Sequence, residues 1–457
     1  MVDAASSPPV PVAVVGGGWA GCAAAATLAD AGVPVTLFEQ ARTLGGRARR
    51  VLRDGMALDN GQHLLVGAYR QTLELLALVH GSDRADTLFH RLPLTLRPFG
   101  APSPSAVGLA AWRAPAPLHL AGGVLCAQGL DWAERMALIA GFRRLARAGF
   151  RCAPDETVAQ CFAETPERAF AAIWRPLCLA ALNTPPEHAS AQMFADVLRV
   201  TFTGTARRSD LLVPAADLSA CFPEAAARFV GDRGGTVRQG SSVRGIARTG
   251  DGVLLSVDGG VETFSAAIVA VAPHQLAASI GIESAADDAW RVPLAQVDAF
   301  AYESITTIYL GFAGSVSFAV PLLRLDDAPG HWAFDRSAAL GRRGTSGATS
   351  LVAVVISAGG AHDTLDQATL AASVEAQLRR LAPDLPALAW SSVIAERRAT
   401  YACTPALRRP SSGRLAPGLF LAGDYTDAEF PATLEAATRS GVAAARALIA
   451  EHGARPR

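Results

Sequence analysis

The amino-terminal region alternates short apolar runs with glycines in a way that predicts strand, turn, helix and strand. Pro11–Val15 carries no polar side chain, which is typical of a strand buried on both faces of a parallel sheet. The Ala-rich segment Trp19–Ala31 predicts a buried helix that ends at Gly32. Val33–Glu39 predicts a second strand, which ends in an acidic residue. Together these segments predict a βαβ unit.

The glycines between the first strand and the helix have the spacing of a dinucleotide-binding turn. Gly16 is expected to permit the tight turn, Gly18 to let the backbone approach a pyrophosphate, and Gly21 to allow close helix–strand packing. Glu39 is placed to accept hydrogen bonds from adenosine ribose hydroxyls, and its charge disfavours a 2′-phosphate. The unit therefore predicts NAD or FAD rather than NADP, and does not by itself separate those two.

Later apolar segments predict the rest of this sheet. Gly235–Ile246 and Ala267–Pro273 are expected to add strands, and Gly418–Asp424 another that ends in Gly-Asp. From Pro431 onward, apolar residues follow helical spacing, with the proline in the first turn. These helical positions are Leu434, Ala437, Val442, Ala445 and Leu448.

The strand segments are separated by long insertions, so the nucleotide-binding domain is predicted to be discontinuous. It is expected to consist of residues 10–88, 214–295 and 390–455, and the insertions 89–213 and 296–389 to form an α+β substrate domain. The predicted fold class is therefore α/β, with a Rossmann-like domain that carries an inserted second domain.

Two stretches of the substrate domain are unusually apolar. The segment 114–130 has no permanently charged residue, and Trp112 and Arg113 precede it. It is interpreted either as ordinary core with a loop or as an apolar entrance that touches a bilayer. Asp131 predicts the cap of an amphipathic helix. The segment 173–186 is interpreted as packing, with cavity lining as the alternative.

Composition and charge exclude several classes of function. The 41 basic and 41 acidic residues balance, so nothing indicates a nucleic-acid partner. All the cations are arginines, and without lysine the chain has no Schiff-base or lysine-base chemistry.

Cysteine use and the amino terminus indicate a cytoplasmic protein. The seven scattered cysteines contain no C-x-x-C pair, which favours free thiols over a disulfide framework or a zinc site. The segment 1–11 lacks the features of a signal peptide, and no run reaches the ~18 apolar residues that cross a bilayer. A soluble protein, or one bound peripherally to the inner face of the cell membrane, is expected.

The segment after the ribose acid adds a Gly-Gly-Arg at Gly45, Gly46 and Arg47. With this motif the chain resembles the flavin-containing amine oxidase and phytoene desaturase superfamily, which has a glutathione-reductase-like FAD domain. The resemblance implies that Arg47 reaches the FAD pyrophosphate. It further implies a set of FAD contacts at Val243 (adenine, through its backbone), Gly423 and Asp424 (ribityl–phosphate chain), and Thr433 and Leu434 (the helix start beneath the flavin ring).

Further motifs, spread over nearly the whole chain, are similar to those of the hydroxysqualene dehydroxylase branch. The branch motif N-G-Q-H-L-L-x-G-x-Y matches 60–69, and Tyr425 and Ala436 depart from the branch pattern, where Trp and Gly are usual. The absence of lysine counts against polyamine and monoamine oxidases, and the context of Cys403 favours non-covalent FAD. The other matching segments are 174–186, 211–214, 399–405 and 421–435.

The resemblance implies that hydroxysqualene, a C30 isoprenoid, loses its hydroxyl group and becomes squalene, with hydride from reduced flavin N5 to an allylic carbon. An unidentified electron donor must reduce the FAD. Gly61 is expected to allow close approach to the flavin, with Gln62 and His63 beside N5. His63 is the candidate proton donor, or else supports the loop; Gln62 is the alternative, orienting a water. Asp59 is interpreted as scaffold, paired with Arg47 or a backbone N–H.

Two other functions stay open at this stage. One is an oxidative carotenoid-type desaturase, which needs the same apolar tunnel and the same cofactor. The other is a flavin- or lipid-binding partner without turnover.

Overall fold

The fold is mixed α/β and is built around a parallel sheet. The computed structural model describes residues 10–53, 55–100, 106–250, 252–281, 287–316, 318–340 and 348–452. In this sheet five neighbouring strands are parallel, and the sixth, at one edge, is antiparallel to its neighbour. In spatial order its strands are Thr236–Gln239, Val35–Glu39, Val12–Val15, Ala266–Val269, Leu419–Leu421 and Gly413–Ala416.

Helices cover the central strands, as the apolar runs predict. Val12–Val15 and Ala266–Val269 are buried at every position. Helix Trp19–Asp30 packs against the sheet and against the carboxy-terminal helix Leu434–His452. The two helices approach closely because Gly441 has no side chain, since a Cβ there would lie 2.1 Å from a backbone oxygen of the first helix. The predicted βαβ unit is confirmed.

The segment Gly235–Ile246, which is predicted to complete this sheet, joins it only in part, because the chain forms two strands there. Thr236–Gln239 joins the parallel sheet, whereas Val243–Arg248 starts a separate antiparallel sheet with Val253–Val257 and Gly260–Phe264. The change occurs at Gly240, whose φ is +74°. Its N–H bonds to a carbonyl beyond the end of the neighbouring strand, and the chain then turns out of the sheet.

A second large sheet is antiparallel and has apolar side chains on both faces. Helix Gln367–Leu381 covers one face, and Tyr309 and Phe334 point into the main core on the other. Strand Leu388–Tyr401 pairs along most of its length with Tyr302–Phe312, so it crosses the domain boundary predicted at residue 390. The division into domains stays a prediction. In spatial order the strands are Leu322–Arg324, Trp332–Asp335, Ser350–Ser357, Tyr302–Phe312 and Leu388–Tyr401.

Smaller sheets and helices fill the region between the two large sheets. Asp131 caps its helix with a reciprocal bond pair to Glu134, which confirms the predicted start. In the part of the chain that the structure describes, no helix is both long and apolar enough to cross a membrane. The small sheets are Arg50–Arg53 with Met56–Asp59, Leu65–Val66 with Leu211–Pro214 and Phe89–Leu92, and Thr95–Leu96 with Leu109–Ala110. The remaining α-helices among the described residues are Arg70–His80, Ser82–Ala85, Leu118–Leu125, Trp132–Arg147, Val158–Cys161, Glu167–Ala169, Arg175–Leu182, Ala191–Phe202, Leu218–Cys221, Pro223–Asp232, Leu276–Ile280 and Asp288–Asp298.

Two buried carboxylates hold distant segments together. Glu435 accepts hydrogen bonds from the backbone N–H groups of Gln71 and Thr72 and so caps helix Arg70–His80 from outside. Asp59 accepts from the N–H of Leu218 at 2.8 Å and lies 3.3 Å from Arg336.

The hypothesis that Asp59 pairs with Arg47 is therefore wrong, and the backbone alternative is confirmed. Arg336 reaches Asp59 from the antiparallel sheet, so the pair joins the two large parts of the molecule. The Tyr309 hydroxyl donates to the backbone oxygen of Asp59, which strengthens this link.

Replacing Asp59 by Asn tests the electrostatic cost of this burial. Burial raises the pKa of the Asp59 carboxyl to about 6, against the opposing charge of Arg336. A raised folded-state pKa adds stability at low pH that is lost as the pH rises through that pKa. The unfolding free energy of the native chain, relative to Asp59→Asn, should therefore increase by up to about 3 kcal/mol between about pH 7 and pH 4 in chemical denaturation.

The matched control is Asp384→Asn, because Asp384 is exposed. Its stability difference from the native chain should stay constant over the same pH range. A difference for Asp59→Asn that is equally constant would contradict the predicted cost of burial.

Candidate active site

The glycine turn has the backbone geometry that its spacing predicts. Gly16 has a φ of +107°, and a Cβ there would lie 2.6 Å from a carbonyl oxygen of the neighbouring strand. A Cβ on Gly21 would lie 1.8 Å from the oxygen of Gly16, so this glycine lets the helix pack on the turn. At Gly18 the nearest atom to such a Cβ is 4.0 Å away, so the backbone borders open space. Gly21 thus serves packing, while Gly16 and Gly18 line a cavity.

Glu39 fixes the shape of this turn. One carboxylate oxygen accepts from the N–H of Gly17 and the other from the N–H of Ala41, each at 2.7 Å. The side chain is buried at the end of its strand and borders the cavity. Each oxygen keeps a lone pair for a further donor, as binding to a ribose hydroxyl requires.

The arginine of the Gly-Gly-Arg motif is a link between three segments. Arg47 donates to Asp424 and to the carbonyl oxygen of Ala399, each at 2.7 Å. Burial opposes its charge, but the Asp424 carboxylate raises the pKa of Arg47 above its ordinary value. The resemblance implies that Arg47 contacts a pyrophosphate, and Arg47 is among the residues that line the cavity.

The carboxy-terminal helix begins at the same cavity. Thr433 caps it, because its hydroxyl accepts from the N–H of Ala436 at 3.1 Å. Thr433, Leu434 and Gly423 all border the cavity, so the amino-terminal end of this helix lies at its wall.

One continuous cavity of ≈ 590 Å³ joins this polar cradle to an apolar chamber. Its cradle end includes the residues predicted to bind FAD other than Gly21. Its far end is lined by side chains from the helices and the antiparallel sheet. The apolar lining includes Leu64, Leu94, Leu96, Leu177, Leu182, Phe194, Leu198, Phe202, Leu211, Ile305, Leu322, Trp332, Phe334 and Phe430.

The polar residues 60–63 line the cavity, and the apolar Leu64 follows them in its wall. The Gln62 side-chain N–H donates to the oxygen of His63, and its Oε1 has no partner among the described residues. His63 Nδ1 lies 2.6 Å from the Gly61 carbonyl oxygen, which can only accept, so Nδ1 carries the proton. Burial, followed by the charge of Arg47, lowers the pKa of His63. Neutral His63 therefore presents an unprotonated Nε2 near pH 7.

The segment 173–186 combines the two interpretations given to it. Trp174 stacks on Phe162 in the core, while Leu177 and 179–183 line the cavity. Asn183 ends the helix with a φ of +48° and bonds through its side chain to three other residues of the second sheet region.

Sequence reasoning missed two ionisable groups of the cavity, Glu396 and His274. Glu396 accepts a hydrogen bond from the Asn60 side chain at 3.2 Å, and His274 packs edge-on against Tyr302. Both come from segments that carry no recognisable motif. The position of Glu396 follows from the pairing of strand Leu388–Tyr401 with its neighbour, whereas His274 lies in the turn after strand Ala266–Val269 of the parallel sheet.

The cradle fits a dinucleotide with a flavin end. The backbone at Gly18 borders open space, the carboxylate of Glu39 lies beside the glycine turn, and a helix begins there. These are the elements that bind a pyrophosphate and a ribose. The unpartnered Oε1 of buried Gln62 is a hydrogen-bond acceptor that a bound group would satisfy.

Comparison with known proteins gives the same result. The family model "Flavin containing amine oxidoreductase" matches residues 19–449. The chain is 28% identical to hydroxysqualene dehydroxylase of Rhodopseudomonas palustris over 96% of this chain and 98% of that protein. It is 25% identical to hydroxysqualene dehydroxylase of Sinorhizobium fredii over 97% of this chain and 99% of that one.

A solved structure supports the fold. An oxidoreductase from Methanosarcina mazei superposes with a TM-score of 0.71 at 13% identity, covering 96% of this chain and 100% of that one. The predicted fold class and the predicted FAD cofactor are both confirmed. The chain belongs to the flavin containing amine oxidoreductase family and is an FAD-dependent oxidoreductase.

Proposed function

We propose that the chain removes the hydroxyl group of hydroxysqualene reductively and yields squalene. The observation that carries this proposal is the continuity of the FAD cradle with a long apolar chamber. A hydrocarbon chain would gain favourable burial along that chamber, whereas a charged amine would lose its hydration there. The full-length similarity to two hydroxysqualene dehydroxylases supports the same substrate class, a C30 isoprenoid.

The proposed reaction needs both a hydride and a proton. Bound FAD, reduced by an external electron donor, supplies the hydride, which protein side chains cannot supply. A proton converts the leaving hydroxyl into water, so the products are the deoxygenated isoprenoid and one water molecule. The apolar walls exclude other water from the allylic cation that is left when the C–O bond breaks.

Gln62 and His63 are proposed to act on the hydroxyl group, because both line the cavity directly before the apolar Leu64. Gln62 Oε1 would accept a hydrogen bond from that hydroxyl and so orient it. Protonated His63 would donate a proton to it, in the minor fraction of molecules that carry this charge. Gly61, Gly45 and Gly46 would let the backbone approach FAD, and Val243 would meet its adenine.

The substrate is proposed to enter from a lipid bilayer. Trp112, Leu118, Trp132 and Met136 are exposed large apolar side chains on one short stretch of the chain. Helices Leu118–Leu125 and Trp132–Arg147 are neighbours, joined by a bond from Arg135 to the oxygen of Leu125. We call these four side chains the apolar patch.

The apolar patch is close in sequence to a strand that pairs with the cavity wall, and an exposed arginine lies beside it. It follows strand Leu109–Ala110, which pairs with the cavity-lining strand Thr95–Leu96. Arg113 is exposed next to Trp112 and suits anionic headgroups. Peripheral contact with the inner face of the cell membrane is therefore part of the proposal.

A product assay tests the reaction. Photoreduced enzyme, incubated without oxygen with hydroxysqualene, should form squalene and oxidised flavin in equal amounts. Ala181→Trp, which places a large ring in the chamber, should lower this rate on the order of tenfold or more because the hydrocarbon is displaced.

The control for this variant is Leu365→Trp, at an exposed position outside the cavity, and its rate should stay native. Squalene no higher than in an enzyme-free sample, with conversion of a polyene precursor instead, would favour an oxidative desaturase. Flavin that no isoprenoid reoxidises would favour a binding partner without turnover.

The pH dependence of flavin reoxidation tests His63. Because burial lowers the pKa of His63 below its ordinary 6.5, the charged acid forms only in more acidic solution. The single-turnover rate should therefore rise as the pH falls below about 6.5, and this rise should disappear in His63→Ala.

His274→Ala distinguishes the two histidines of the cavity. This variant should keep the native pH dependence of the rate, although the pKa of His274 in the native chain is also lowered, chiefly by burial. Loss of the acidic rise in His274→Ala, with His63→Ala unchanged, would transfer the role to His274.

Vesicle sedimentation tests the apolar patch. The double variant Leu118→Glu, Trp132→Glu should bind vesicles of anionic and neutral phospholipids at least about tenfold more weakly. Two large apolar side chains that would enter the bilayer are then replaced by charges. The control, Val261→Glu with Leu365→Glu, changes two exposed apolar residues elsewhere and should bind like the native chain. Equal losses in both double variants would remove this surface from the proposal.

A further inference from the structure

We propose that Cys152, Glu156 and Cys161 form a binding site for a zinc-like divalent metal ion, remote from the FAD cradle. The two sulfur atoms and one carboxylate oxygen all lie within 4.8 Å of one another. None of the three lines the cavity. Sequence spacing gave no sign of this site, since the cysteines are nine residues apart and their side chains meet only in the fold.

The donor atoms come from a segment whose backbone is held on both sides. The N–H of Cys152 donates to Gln192 at 2.9 Å, and the side-chain N–H of Gln192 donates to the oxygen of Phe150 at 3.0 Å. The backbone carbonyl oxygen of Glu156 accepts from the N–H of Ala191 at 2.9 Å. The three donors are thus brought together before any ion binds, which lowers the entropy cost of binding.

Helix Val158–Cys161 positions the third donor. Thr157 and Gln160 form a reciprocal capping box at its start, and the N–H of Cys161 donates to the oxygen of Thr157 at 2.9 Å. Arg144 contacts the carbonyl oxygen of Cys161, so one fixed positive charge lies beside the site. That charge offsets part of the repulsion between two thiolates and a carboxylate.

The donor set selects the class of metal. Two thiolates and one carboxylate suit zinc or cobalt, whereas magnesium and calcium prefer oxygen alone. With zinc–sulfur bonds of about 2.3 Å, tetrahedral geometry places two sulfurs about 3.8 Å apart, so shifts of about 1 Å close the site. All three side chains are half-buried, which leaves solvent access for the ion and for a water as fourth ligand.

The site lies against a helix that forms the chamber wall. Gln192, which bonds to Cys152, belongs to helix Ala191–Phe202, and Phe194, Leu198 and Phe202 of that helix line the cavity. A bound ion would tie the loop after helix Trp132–Arg147 to the short helix that packs on this wall. Its role would be to stabilise the wall, and the proposal does not depend on the reaction that the cavity carries out.

Cobalt titration of the FAD-loaded protein, with its cysteine thiols reduced and its flavin oxidised, tests the site. One Co²⁺ per chain should bind and give d–d bands at wavelengths beyond the absorption of oxidised flavin, as tetrahedral thiolate coordination does. Zinc should displace the cobalt and raise the thermal midpoint in a concentration-dependent manner. Cys161→Ser and Cys152→Ser should each weaken binding on the order of a hundredfold, and Glu156→Gln on the order of tenfold.

Cys126→Ser is the matched control, because Cys126 is an exposed free cysteine that belongs to no ligand cluster among the described residues. It should bind cobalt like the native chain, and flavin absorbance should report that each variant is folded. Cobalt bands that persist in Cys161→Ser, or no binding by the native chain, would overturn the proposal. So would a Cys152–Cys161 disulfide, found by mass spectrometry in metal-free protein that does not bind cobalt after reduction.

Discussion

The active-site region depends on one buried guanidinium that joins chain segments far apart in sequence. Arg47 follows the first βαβ unit, Asp424 follows the carboxy-terminal strand Leu419–Leu421, and Ala399 lies on the long strand of the second sheet. A neutral residue at position 47 would leave the Asp424 carboxylate buried without its charge partner, at a cost of several kcal/mol. Because arginine forms both bonds from one planar group, it fixes the relative position of three segments at the cavity.

The same charge influences the chemistry available at the cavity. Arg47 adds to burial in lowering the pKa of His63, and the Gly61 carbonyl fixes which nitrogen of that ring carries the proton. Arginine does not exchange protons near neutral pH, and the chain has no lysine, so the cations near the cavity are permanent. His63, His274 and Glu396 are among the side chains that line this cavity.

Sequence predicted those parts of the site whose geometry is set within a few residues. The turn at Gly16 and the acid Glu39 follow from backbone and hydrogen-bond requirements that act locally, and the structure has both where expected. The contact of Glu396 with Asn60 and the pairing of Asp59 with Arg336 depend on which sheets face each other. Sheet pairing over hundreds of residues has no local signature, so these contacts were not predictable.

The segment 235–246, which is predicted to complete the parallel sheet and joins it only in part, shows the same limit at smaller scale. Its apolar residues are compatible with a continuous strand, and only the φ of Gly240 decides that the chain leaves the parallel sheet. That departure carries Val243 beyond the edge of the parallel sheet to the cavity wall, near the end of the strand that bears Glu39. A continuous strand would have kept Val243 in the parallel ladder, so the break in regular structure is what brings this residue to the cavity wall.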